Sequence, residues 1–142
     1  MTDATAGSRS VIIEREMPHP PEKIWRALTQ RSLISQWLLE GDFEPVVGHR
    51  FTFRTVPKPG WNGVIACEVT VVEPFTRLAY SWQPFEGLSG VVSWTLTPTR
   101  NGTLVRMEQS GFRPDQTGAF KGASYGWQKM LVGLENVLAR LD

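Results

Sequence analysis

The chain has 142 residues, a formal charge of +1, a single cysteine and six tryptophans. That length suits one ordinary domain, which can bury roughly 70% of its unfolded surface without disulfides or a metal. The near-zero charge excludes the basic footprint of a nucleic-acid or anionic-membrane partner. Cys67 alone cannot form an internal bridge, which fits a reducing compartment, and no run approaches the roughly 18 apolar residues of a membrane span. The expected setting is cytoplasmic.

Residues 1–9 are small and polar and read as a loose tail, leaving 10–142 as a single domain. Ser10–Met17 alternates: Val11, Ile13, Arg15 and Met17 share one face, while Ile12, Glu14 and Glu16 share the other. Two glutamates in step put that second face in water, so this is a strand. Pro18-His19-Pro20 breaks it. Pro21 fits the first turn of a helix, where its missing N–H goes unused, and Glu22 suits the helix dipole. Ile24, Trp25 and Leu28 form the buried stripe of this helix. A second short helix over about 32–39 buries Leu33, Ile34, Trp37 and Leu38 and stops at Gly41.

Beyond Gly41 the hydrophobic period is two. His49–Thr55 turns Phe51 and Phe53 inward, and Thr52 and Arg54 outward. Residues 63–74 make a long strand, apolar on both faces: Cys67, Val69 and Val71 argue for one phase, Glu68 and Val72 for the other. Leu78, Tyr80 and Trp82 align on the next strand, and Val92, Trp94 and Leu96 on the one after. Asn101-Gly102 signals a tight hairpin through residues that accept positive φ. The return strand carries Val105, Met107 and Gln109 on one face and Arg106 and Glu108 on the other. Short strands joined by close turns make an antiparallel sheet.

The chain ends in a long helix. Phe120, Ala123, Trp127, Met130, Leu131, Leu134, Val137, Leu138 and Leu141 recur at three and four residues, within one apolar face. Gly118, Gly122, Gly126 and Gly133 lie on a strip beside it. Each glycine costs about 1 kcal/mol relative to alanine, and three fall in the first half, which should be the softer one. An aromatic-faced sheet must be covered, and this helix alone is long enough to do so. The predicted fold is α+β: a curved antiparallel sheet gripping the last helix, with the two short helices plugging one end.

The segments "REMPHPPEKIWRALTQRSLISQWL", "VEPFTRLAYSW", "WTLTPTRNGTLVRMEQSGF" and "GWQKMLVGLENVL" resemble, in order, the START-like (SRPBCC) superfamily. Within it the chain is similar to the branch named after the C-terminal domain of the heat-shock-protein ATPase activator. The resemblance runs from about Ser10 to the end and implies a helix-grip fold with an apolar cavity between sheet and helix. Three positions depart from the common pattern: Leu38 replaces a second tryptophan, Gln30-Arg31 replaces an Asp-Pro break, and Gln109 stands where relatives often have histidine.

Catalytic machinery is not legible. His19 sits in a proline turn, and His49 is in phase with Phe51 and Phe53 near a cavity mouth. Neither has neighbours that make a metal site, a serine triad has no support, and no phosphate loop or cofactor motif occurs. Cys67 reads as a buried, inert thiol. Arg15 lies on the inward face and demands a partner, for which Glu68 is available if that strand takes the second phase. Tyr80 and Gln109 place hydrogen-bonding groups on an otherwise aromatic face.

Three functions follow. The first is binding of a small hydrophobic or aromatic molecule, entering past the glycine-softened end of the last helix. Its candidate lining is Trp37, Phe51, Phe53, Glu68, Tyr80, Trp82, Trp94, Met107, Gln109, Trp127 and Met130. The second, implied by the resemblance, is a polyketide-cyclase-like or hydratase-like enzyme using Glu68, Tyr80 or His49 as acid and base. The third is the chaperone-ATPase cofactor role of the branch name. The polar outer face, with Thr52, Arg54, Ser93, Thr95, Arg106 and Glu108, suits a monomer or weak homodimer.

Overall fold

A computed structural model describes residues 9–141. The expected tail therefore lies outside the described residues, except Arg9, which already begins the first strand. The order is β1 (Arg9–Met17), α1 (Pro21–Thr29), α2 (Arg31–Trp37), β2 (Glu40–Gly41), β3 (Arg50–Arg54), β4 (Val64–Glu73), β5 (Arg77–Phe85), β6 (Leu88–Thr99), β7 (Gly102–Phe112) and α3 (Thr117–Arg140). All ladders are antiparallel, and the spatial order is β1-β7-β6-β5-β4-β3-β2. The first strand thus pairs with the last, and α3 lies against β1, α1 and α2. This is the expected curved sheet with two early helices and a long terminal helix.

Pro20 and Pro21 start α1 without a side-chain cap, and Ile24, Trp25, Ala27 and Leu28 are its buried face. Trp37 closes α2 and donates its indole N–H to the Ala27 carbonyl at 2.9 Å, which ties the short helices together. Their role is to seal one end of the core. Trp37 meets Trp94 edge-on at 5.5 Å, and Trp94 in turn meets Trp127 of α3 at 5.8 Å.

The ambiguous strand resolves into both phases. The β4–β5 register skips at Thr70, with Val69 opposite Tyr80 and Val71 opposite Ala79. Before this bulge Ile65, Cys67 and Val69 are buried; after it Val72, opposite Leu78, joins the core. One inserted residue inverts the alternation. Glu68 therefore faces outward and pairs with Arg50 at 3.3 Å, not with Arg15. Arg15 does point to the helix side, where Glu135 of α3 takes its guanidinium at 2.8 Å.

The hairpin at Arg100-Asn101 is present, with Thr99 opposite Gly102. Positive φ is not its reason, since neither Asn101 nor Gly102 adopts it. Gly102 instead lies under the β1–α1 corner, where a Cβ would sit 2.0 Å from the Met17 carbonyl oxygen.

Candidate functional site

Between the first half of α3 and the sheet lies a cavity of about 310 Å³. Trp82 and Pro84 of β5 and Gln109 of β7 form its sheet side. Ala119, Ala123, Gly126, Trp127 and Met130 form its helix side, and Trp61, Phe85 and Leu88 complete it. Trp61 comes from the β3–β4 connection and is anchored by its indole N–H on the Pro84 carbonyl at 2.7 Å.

Strand irregularities position the sheet-side residues. The β5–β6 register gains a residue between Trp82 and Phe85, around Pro84, which has no N–H to give the ladder. The β1–β7 register skips between Gln109 and Phe112, where Gly111 takes φ +99°. Both bulges re-aim side chains at the end of the sheet that faces the start of α3.

On the helix, the glycines leave the space. A Cβ built on Gly122 or Gly126 meets no atom within 4 Å, so close packing does not require glycine at either position. Gly133 differs: its Cβ would touch Trp37 at 3.5 Å, where α2 passes near α3. Farther along, Leu131, Leu134, Val137 and Leu138 are buried, and that half of the helix packs solidly. Gly122, Gly126 and Met130 also border an outer groove of about 470 Å³ that contains Trp37, Lys58, Tyr125 and Lys129. The cavity thus adjoins the surface across a helix edge made mostly of glycine.

Of the eleven residues expected to line a pocket, Trp82, Gln109, Trp127 and Met130 do so. Trp37 borders the outer groove. Phe51, Phe53, Tyr80, Trp94 and Met107 do not reach the cavity: they are solid core. Phe51 contacts Phe53 at 5.1 Å and Tyr80 at 5.8 Å, while Phe43, on the β2–β3 connection, fills in at 5.2 Å from Phe51. Large rings thus occupy the half of the sheet where a wider pocket was expected. Glu68 is on the opposite face. Trp61, Pro84, Phe85, Leu88, Ala119, Gly122, Ala123 and Gly126 were not expected in the lining, although the glycine strip was itself a signal.

The acid–base candidates do not converge. The Tyr80 hydroxyl accepts the Trp94 indole N–H at 3.0 Å, and full burial raises its pKa. His49 stacks on Phe51 and its Nε2 lies 2.8 Å from the Asp42 carbonyl, away from the cavity. Cys67 is pushed up to about 12 by burial, which keeps the thiol protonated at neutral pH. Among the described residues no cluster of His, Cys, Asp and Glu is arranged to hold a metal ion. Among the same residues, no helix is long and apolar enough to cross a membrane.

A larger depression of about 610 Å³ lies between α2 and the β2–β3 edge, with Arg31, Asp42 and Arg54 on its walls. Two of its charged groups are already engaged: Arg31 holds the Phe43 carbonyl and Glu44, each at 2.9 Å. Asp42 accepts the Thr52 backbone N–H, which holds its carboxyl below the usual range. The apolar space under α3 has the character of a small-molecule site; the polar depression does not.

The sequence profile of the Activator of Hsp90 ATPase homolog 1-like protein family matches residues 18–139, from the turn before α1 to the end of α3. The chain belongs to that family. Protein MLL2253 from Mesorhizobium loti is 50% identical, with 94% of this chain and 99% of that one covered and a TM-score of 0.86. Protein BH1534 from Bacillus halodurans is 23% identical (92% and 96% covered, TM-score 0.78), and CalU16 from Micromonospora echinospora is 24% identical (97% and 81%, TM-score 0.77). The last two likenesses establish the fold alone. No curated protein matches this chain. In this member of the Hsp90-activator-like family, the cavity is confined to the glycine-bearing half of α3, and the rest of the helix grip is filled.

Proposed function

We propose that this family member binds a small, mainly apolar molecule between the first half of α3 and the sheet. The observation that carries the reading is an apolar space beside glycines that packing does not demand. Each such glycine costs a helix about 1 kcal/mol, and alanine would fit without a clash. A chain that keeps both keeps room.

Size sets the class of ligand. An apolar cavity of about 150 Å³ holds benzene. Twice that volume takes a two-ring molecule, offset against Trp82 and Trp127, whose rings already pack at 5.2 Å. Native mass spectrometry of gently purified protein, before and after denaturation, tests the reading. The expected result is a discrete extra mass that disappears on denaturation, or uptake of two-ring aromatic compounds, with or without a carbonyl, added to the bare protein. A bare chain that takes up none of them overturns it.

A further inference from the structure

The cavity's side-chain polar groups left without a partner among the described residues are all donors, and they are few. Trp127 donates its indole N–H to Gln109 Oε1 at 2.6 Å, with both side chains buried. An indole nitrogen cannot accept, so this bond fixes which end of the carboxamide is oxygen. The amide Nε2, with two N–H groups, is left over.

Nε2 has no partner among the described residues, and it is not among the enclosed unpaired atoms, of which Thr99 Oγ1 is the one instance found. The residue lines the cavity and is only 2% accessible, so that remaining access is where Nε2 meets the cavity. Trp82 lines the same space, and its indole N–H likewise has no partner among the described residues. Trp61's N–H is spent on Pro84. The lining includes no carboxylate, hydroxyl, lysine or arginine; Lys58 and Lys129 border the outer groove.

We propose that Gln109 is the specificity determinant of the cavity, selecting an uncharged ligand that presents a carbonyl or equivalent acceptor oxygen to its Nε2 donor. The proposal rests on the reading of the cavity as a ligand site. A carboxylate would enter without a cation to pair it, at a high desolvation cost. A hydrocarbon would displace water from the amide and leave two donors unpaired. A ketone replaces that water. Trp127 acts as a positioning residue by holding the amide in the donor-inward orientation.

The test compares 2-acetylnaphthalene with 2-ethylnaphthalene, which are nearly equal in shape but differ by a carbonyl. Burial of apolar area alone favours the ethyl compound. Calorimetric titration of the wild type should instead show the acetyl compound binding about five-fold or more tightly. In Gln109→Met the order should reverse. If that variant does not fold, the wild type still decides: in ¹⁵N-resolved spectra, the Gln109 side-chain NH₂ signals should shift with the acetyl probe and much less with the ethyl one. Equal affinities, or a preference for the ethyl compound in the wild type, overturn the donor assignment and leave the ligand site standing. Binding of neither compound counts against the site itself.

Discussion

Trp127 and Gln109 each depend on the other for a buried hydrogen bond of 2.6 Å. Removing one partner strands the other, at about 1–3 kcal/mol. Gln109→Leu and Trp127→Phe should therefore each lower stability in urea titrations, Trp127→Phe somewhat more because it also loses packing against Trp82 and Trp94. The double variant should cost clearly less than the two singles added, because nothing is then left unpaired. Strict additivity would mean that the contact carries no coupling. At this scale the sequence was informative about partners only in part. The in-phase pattern correctly turned Gln109 and Arg15 toward the helix, yet Arg15's partner is Glu135, 120 residues away, and spacing along one strand says nothing about that. Glu68 was unreadable for a local reason: the bulge at Thr70 makes both phases of β4 true in turn.

At the scale of elements, α3 divides into a packing half and a spacing half. Leu131, Leu134, Val137 and Leu138 bury one, while Gly118, Gly122 and Gly126 interrupt the other. Gly122→Ala should raise stability by up to about 1 kcal/mol, since the methyl meets nothing and the helix gains propensity. A loss of stability on thermal unfolding would mean that the position is crowded. The helix was legible because its 3.6-residue period runs unbroken for over six turns. Its glycine strip was legible too, as composition. What sequence could not supply is the depth of the space beside the strip, which depends on the bulges around Pro84 and Gly111 and on Trp61 reaching across from another loop.

For the whole molecule, the order of elements and the helix grip follow from patterning, because most strands have one plainly apolar face and one helix is long enough to cover them. The extent of the cavity did not follow. Aromatic residues in phase fit a pocket wall and a solid core equally well, and here Phe51, Phe53, Tyr80 and Trp94 pack against one another and against Trp37, while the space opens only where the helix lacks side chains. The central claim is that this glycine-bearing end is kept open for a ligand. It is tested most directly by the dissociation constant of 2-acetylnaphthalene for the wild type against Gly126→Leu and Ala123→Leu, with folding checked by thermal melts. The account predicts that both variants melt no lower than the wild type, because the added side chains fill empty space, and that both lose binding by at least ten-fold. Folded variants that bind the probe as the wild type does would place the ligand elsewhere and contradict the account.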